Sequence, residues 1–135
     1  MKIMIVDDSQ TARLVSKKVI KMVFGSEEIE FSEAVNGTDA LEKLELEIVD
    51  IIISDINMPE MTGFTLLKNI KINKKLSKIP IIFVTSFSND ARVDNLMELG
   101  AVGVLPKPLK VKQLSSLLER LKLKSVDESS GAWGK

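Results

Sequence analysis

The residues of this chain able to do chemistry are few, and they share a context. Asp7 and Asp8 stand side by side just after the apolar run Ile3-Met4-Ile5-Val6, and Asp55 follows Ile51-Ile52-Ile53 and Ser54. Thr85 follows Ile81-Ile82-Phe83-Val84, and Lys107 lies two residues beyond the run 102–105. Three carboxylates gathered at one edge repel one another by about 3 kcal/mol per pair at ~5 Å and an effective dielectric near 20. Such a cluster calls for a cation. Carboxylate and carbonyl oxygens suit a hard divalent ion, magnesium, manganese or calcium, and magnesium tends to be shared with a phosphate. The chemistry indicated is therefore phosphoryl transfer. The ion would offset charge on the moving group, Lys107 would pair with another phosphoryl oxygen, and Thr85 would donate a hydrogen bond.

The residue types that are missing sharpen this reading. The 135-residue chain has no cysteine and no histidine. Disulfides, thiolate or imidazole metal sites, a cysteine nucleophile, a Ser-His-Asp triad and a phosphohistidine on this chain are all excluded. A carboxylate is then the best nucleophile on offer, and an aspartyl phosphate is an established type of intermediate.

These groups need a frame, and one domain supplies it. Apolar residues make up 44% and charged residues 28% of the chain, which is a globular composition rather than a disordered one. No apolar run approaches the roughly 18 residues of a membrane span, and the start turns acidic at Asp7, too soon for a secretory signal. A cytoplasmic protein with no membrane contact is expected. Nineteen Lys and Arg balance nineteen Asp and Glu, so bulk charge does not favour nucleic acid as a partner. The balance is uneven along the chain: residues 27–60 hold eleven acids against Lys43, and residues 107–124 hold six basic groups against Glu119. Solvated helix faces account for such runs, and partner docking is the other use for them.

The elements alternate. The run 3–6 is too short for a helix and reads as a strand buried on both faces. Asp8 or Ser9 can cap a following helix, with Ala12, Val15, Val19, Met22 and Val23 at helical spacing and Gly25 at its end. Residues 29–34 form a weaker strand. Asn36 then caps a helix that buries Ala40, Leu41 and Leu44. The strand 51–53 leads through Asn57-Met58-Pro59 to Thr62, which caps a helix with Phe64, Leu67 and Ile70 inward. Pro80 opens the strand 81–84. A fourth helix runs from about Asn89 to Leu99 with Val93, Leu96 and Met97 inward, and Gly100 stops it. Residues 102–105 form a fifth strand, Pro106-Lys107-Pro108 a tight turn, and Val111, Leu114, Leu117, Leu118 and Leu121 the stripe of a last helix. Five strands alternating with five helices predict a doubly wound α/β fold with a parallel sheet covered on both faces. Ligands of such sheets bind at the carboxyl ends of the strands, where Asp7, Asp8, Asp55, Thr85 and Lys107 all fall.

The acidic pair after the first strand, a single Asp after the third followed by Met58-Pro59 and Gly63, a Thr after the fourth and Lys107-Pro108 after the fifth resemble a response-regulator receiver domain. The resemblance covers about residues 1–124, leaving 125–135 as a flexible polar tail. It implies a flavodoxin-like (βα)5 fold of strand order 2-1-3-4-5, the order found in the chemotaxis member of that family. It assigns Asp55 as phosphoacceptor, with Thr85 and Lys107 acting on the phosphoryl group. It assigns Asp7, Asp8, Asp55 and the backbone carbonyl of Asn57 as ligands of Mg²⁺, for which Mn²⁺ can substitute. The implied partners are a sensor histidine kinase or a histidine phosphotransfer protein as donor. A downstream protein would bind the fourth helix, fifth strand and fifth helix, around Val102 to Leu121. Members of the family commonly catalyse their own dephosphorylation.

The chain departs from the family pattern at Val104, where an aromatic residue usually stands, and it places Ser86 after the Thr where Ala is frequent. Phe87 comes next, at a position near the path of attacking water, and with Asn57 it is expected to tune the phosphoryl lifetime. A rival reading, a magnesium-dependent aspartyl phosphatase or phosphotransferase acting on small molecules, needs a second acid two residues after the nucleophile. Asn57 occupies that position. Nucleotide binding fares worse, since the first strand-helix turn lacks both glycine-rich phosphate-binding patterns. A binding module that never turns over phosphate is the remaining alternative, which the intact acidic cluster, Thr85 and Lys107 oppose. Eleven residues after Lys124 are too few for an effector domain, so a single-domain regulator or phosphorelay shuttle is expected, unless the sequence is a fragment of a longer regulator.

Overall fold

The computed structural model describes residues 1–25, 27–58, 60–86 and 90–121. Strands and helices alternate: β1 Lys2–Val6, α1 Gln10–Phe24, β2 Glu30–Ala34, α2 Gly37–Leu46, β3 Ile51–Asp55, α3 Gly63–Ile72, β4 Ile81–Thr85, α4 Asp90–Glu98, β5 Gly103–Pro106 and α5 Val111–Leu121. Every strand pairing is parallel, and the sheet order is β2-β1-β3-β4-β5. The flavodoxin-like arrangement expected from the sequence is the one observed.

Side chains on a strand point alternately to opposite faces, so each apolar run feeds two cores. Met4, Val6, Ile52 and Phe83 pack with Ala40 and Leu44 of α2, Leu66, Leu67 and Ile70 of α3, and Leu96 of α4. Ile3, Ile5, Ile51, Ile53, Ile82 and Val84 face the other way, against Ile20, Val23 and Phe24 of α1 and Leu114, Leu117 and Leu118 of α5. Each such side chain contributes roughly 1.5–3 kcal/mol when fully buried. Because neither face of β1, β3 or β4 meets solvent over most of its length, these three strands carry no polar alternation.

Helix starts and stops are local events, and they fall at the expected residues. Ser9 Oγ accepts from the Ala12 N–H at 3.1 Å, Asn36 Oδ1 from the Asp39 N–H at 2.7 Å, and Thr62 Oγ1 from the Thr65 N–H at 3.4 Å. Gly25 ends α1 at φ 64, its N–H donating to the Lys21 carbonyl at 3.0 Å.

The inward faces differ from the sequence expectation at several positions. Val15 and Met22 of α1 are 37% and 70% exposed, and the buried stripe is Ile20, Val23 and Phe24. Val15, with Ala12 and Ser16, borders an open cavity between the first half of α1 and the ends of the strands. Leu66 is buried on α3 while Phe64 is half-buried, and Met97 of α4 and Val111 of α5 stay partly exposed. A helix only 9 or 11 residues long presents one or two turns to the sheet, so its end positions clear the core. β5 begins at Gly103 and ends at Pro106, one residue later than expected at each end. The expected helix start at Asn89, Pro59, Phe87, the boundary at 124 and the tail 125–135 lie outside the described residues.

Candidate functional site

The sheet order reverses direction at β1 and β3, which are neighbours, and in open α/β sheets this is where a crevice forms beyond the carboxyl ends of the strands. Val6 pairs with Ser54 across these strands, so Asp7 and Asp55 emerge side by side. Both are buried, while Asp8 is exposed. Asp7 is fastened at several points: its N–H donates to the Ala34 carbonyl at 3.0 Å, and its Oδ1 accepts from the Ser9 N–H at 2.9 Å. Its carbonyl accepts from Arg13 Nη1 at 2.7 Å, and Arg13 is held in turn by Glu33 Oε1, 2.8 Å from Nε. Lys17 closes the other side of the Glu33 carboxylate at 2.8 Å.

Lys107 arrives from the opposite end of the sheet. Its N–H donates to the Thr85 carbonyl at 2.8 Å, which seats the loop after β5 on the end of β4. Its Nζ then lies 2.9 Å from Asp7 Oδ2 and 3.1 Å from Asp55 Oδ2. Thr85 is buried at the end of β4, one residue beyond Val84, the register partner of Asp55. The Asn57 N–H donates to Asp55 Oδ1 at 3.3 Å, and Ser54 Oγ donates to the Asp55 carbonyl at 2.8 Å. Gly63 completes the support of this loop: a Cβ there would stand 2.7 Å from the Phe83 ring and 2.9 Å from Ile56 Cα, so only glycine permits the approach.

Burial pushes the Asp55 carboxyl above the usual aspartate range, with the Lys107 charge opposing and the Asp7 charge adding to the rise. For Lys107, burial pulls downward, but its hydrogen bond to Asp7 and the charges of both aspartates outweigh it and hold the ammonium above the usual lysine value. Lys107 is thus a firmly protonated cation between two acids.

Asp7, Asp8 and Asp55 each offer a carboxylate oxygen, and these oxygens lie within 4.8 Å of one another. At metal-oxygen distances of about 2.0–2.1 Å, opposite ligands of an octahedral magnesium stand roughly 4.2 Å apart. Neighbouring ligands stand closer, at about 2.9 Å, so the three oxygens would draw together around such an ion, and their hard, anionic character matches it. Beside the cluster opens a cavity of about 330 Å³, walled by Ile5, Ile53, Val84, Ala12, Val15 and Leu109.

The structure therefore brings Asp7, Asp8, Asp55 and Lys107 together and sets Thr85 at the adjoining strand end. Val104 pairs in register with Phe83 and packs on the core shared with α4. Two contributors were not identified from sequence. Arg13, in the first turn of α1, is the anchor of the Asp7 main chain, a role its place soon after the acidic pair could have suggested. Arg92 donates from Nη2 to Asn57 Oδ1 at 3.1 Å across 35 residues, and nothing local in the sequence announces that contact.

The sequence pattern of the family described as "Response regulator receiver domain" matches residues 3–119. Among curated relatives, the chain is 36% identical over 123 residues to "Two-component response regulator ORR3" of Oryza sativa, covering 90% of this chain and 91% of that one. It is 34% identical over 120 residues to "Chemotaxis protein CheY1" of Helicobacter pylori, with 88% and 94% coverage. Among solved structures, chemotaxis response regulator CheY4 of Vibrio cholerae superposes with a TM-score of 0.76 at 31% identity, covering 88% of this chain and 96% of that one. The receiver domain of a signal transduction histidine kinase from Syntrophus aciditrophicus does so with a TM-score of 0.74 at 32% identity, covering 99% and 98%.

Proposed function

The chain belongs to the response-regulator receiver family, whose members serve as phosphorylation-activated switches of two-component signalling, and on that premise we propose that Asp55 is its phosphoacceptor. The observation that carries this reading is the contact of one ammonium, Lys107 Nζ, with both Asp7 and Asp55 beside a third carboxylate. An Asp55 oxygen forms the new bond to phosphorus. The bond from phosphorus to the donor's imidazole nitrogen breaks, and its electron pair stays on the donor. The donor is a phosphohistidine on a sensor histidine kinase or a histidine phosphotransfer protein, since this chain has no histidine of its own.

Asp7, Asp8, Asp55 and the Asn57 carbonyl would hold Mg²⁺, or Mn²⁺ in its place. When bound, the ion neutralises charge on the phosphoryl oxygens. Lys107, already protonated and seated, turns from Asp55 to a phosphoryl oxygen, and Thr85 supplies a hydroxyl hydrogen bond to another. Replacing a carboxylate of charge −1 by a group near −2 draws both side chains inward. That differential attraction biases the receiver toward its active form. The output surface is α4, β5 and α5, where Met97 and Val111 keep apolar surface open to a protein partner. No helix among the described residues is long and apolar enough to cross a membrane. The family role, receiving a phosphoryl group from a kinase and passing a signal to a protein, supports a cytoplasmic location.

The test is intact mass after incubation with Mg²⁺ and a small acyl phosphate, comparing the natural sequence with Asp55→Asn. A single phosphoryl adduct on the natural sequence, lost with Asp55→Asn or without Mg²⁺, is expected. An adduct that survives in Asp55→Asn would move the acceptor elsewhere.

A further inference from the structure

Asn57 leaves β3 two residues beyond the acceptor, tied by its backbone N–H to Asp55 Oδ1 at 3.3 Å. Its side chain is exposed but held: Arg92 Nη2, from the first turn of α4, donates to Asn57 Oδ1 at 3.1 Å. The same guanidinium lies over the Phe64 ring of α3, 5.7 Å from its centroid. A planar, permanently charged group seated between a ring face and an amide oxygen is well oriented. The β3–α3 loop, α3 and α4 thus meet at one guanidinium, which binds the side chain two residues beyond the acceptor.

We propose that Arg92 is a positioning residue that prolongs the life of the phosphoryl group: by keeping Asn57 Oδ1 turned toward α4, it withholds that oxygen from a water attacking the acyl phosphate. The inference rests on Asp55 being the acceptor. In hydrolysis the water oxygen forms the new bond to phosphorus, and the bond from phosphorus to Asp55 breaks with its electron pair left on the carboxylate. Both water protons leave with the product, H₂PO₄⁻, before it equilibrates with solvent. A carboxamide oxygen near phosphorus accepts a hydrogen bond from that water and aims its lone pair, the part a glutamine plays in GTP-hydrolysing switches. Asn57 carries such an oxygen two residues beyond Asp55, and Arg92 occupies it with a hydrogen bond.

The experiment follows the decay of the phosphoryl adduct by intact mass, after labelling with acetyl phosphate and Mg²⁺ and removal of the donor, for the natural sequence, Arg92→Ala, Asn57→Ala and the double variant. Asn57→Ala keeps the backbone carbonyl assigned to the metal. The adduct is expected to decay roughly two- to tenfold faster in Arg92→Ala, the range set by one hydrogen bond. In the Asn57→Ala background, adding Arg92→Ala is expected to change nothing, a dependence that general loosening of α4 would not show. Labelling with equal decay in Arg92→Ala and the natural sequence, or an Arg92→Ala effect of undiminished size without the Asn57 side chain, overturns this inference and leaves the acceptor assignment standing. A natural sequence that takes up no phosphoryl group overturns both.

Discussion

Lys107 meets Asp55 through a single ammonium-to-carboxylate contact of 3.1 Å, although 52 residues separate them in sequence. The contact satisfies a buried carboxylate that would otherwise stand among acids, and it places the cation where phosphoryl charge would develop. Lys107 therefore competes with a metal for the charge of the same carboxylates and cooperates with it once phosphate is present.

Lys107→Met separates these two roles. Without the competing ammonium, the cluster is more negative, and Mg²⁺ is expected to bind more tightly in a calorimetric or Mn²⁺ competition titration. Phosphoryl uptake from a small donor is expected to slow by about tenfold or more, the scale of losing a charged donor at a transferring oxyanion. Slower uptake accompanied by weaker Mg²⁺ binding would instead mark Lys107 as a structural strut.

Asp55→Asn removes one of three clustered carboxylates from a buried setting. Since burial and the Asp7 charge both disfavour ionised Asp55, the metal-free variant is expected to melt a few degrees higher than the natural sequence in chelator at neutral pH. Addition of Mg²⁺ is expected to raise the melting point of the natural sequence and leave the variant nearly unmoved. Equal Mg²⁺ shifts in both proteins would remove Asp55 from the ligand set.

Acid stability should report on Glu33, whose carboxyl is held below the ordinary glutamate range by hydrogen bonds from Lys17 and then Arg13. A depressed folded-state pKa contributes stability that is complete above the unfolded value, about 4.3, and is lost as pH falls through the lower folded value. Glu33→Gln is thus expected to melt below the natural sequence at pH 7, with the gap closing on acidification to pH 3. Because Arg13 also anchors the Asp7 carbonyl, the variant should bind Mg²⁺ more weakly as well. A melting gap that persists at pH 3 would assign the loss to packing rather than charge.

Gly63→Ala tests the floor of the acceptor loop. Its Cβ would meet the Phe83 ring at 2.7 Å and the Ile56 backbone at 2.9 Å, and backbone cannot step aside as a flexible side chain can. Overpacking of this kind costs roughly 1–3 kcal/mol, readable as a lower urea midpoint. Slower phosphoryl uptake is expected with it, since the loop carries Asn57. Unchanged stability would show that α3 can shift as a body.

Much of this architecture is local, which is why it can be read from the chain. Apolar runs of three or four residues closed by Asp, Ser or Thr are strands buried on two faces, and Ser9, Asn36, Thr62 and Gly25 mark helix ends because a cap needs only its own neighbours. The alternation of the two element types then leaves few topologies, and any of them places strand ends, with Asp7, Asp8, Asp55, Thr85 and Lys107, on one rim. Other features depend on partners far along the chain. On α1 the buried residues are Ile20, Val23 and Phe24, while Val15 borders a cavity whose extent no helical period encodes. Arg13 meets Glu33 only because β2 lies beside the start of α1, and Arg92 meets Asn57 only because α4 packs beside the β3–α3 loop. Burial and spacing follow from periodicity within one element, whereas a long, flexible, charged side chain chooses its partner only after packing has set the distances between elements.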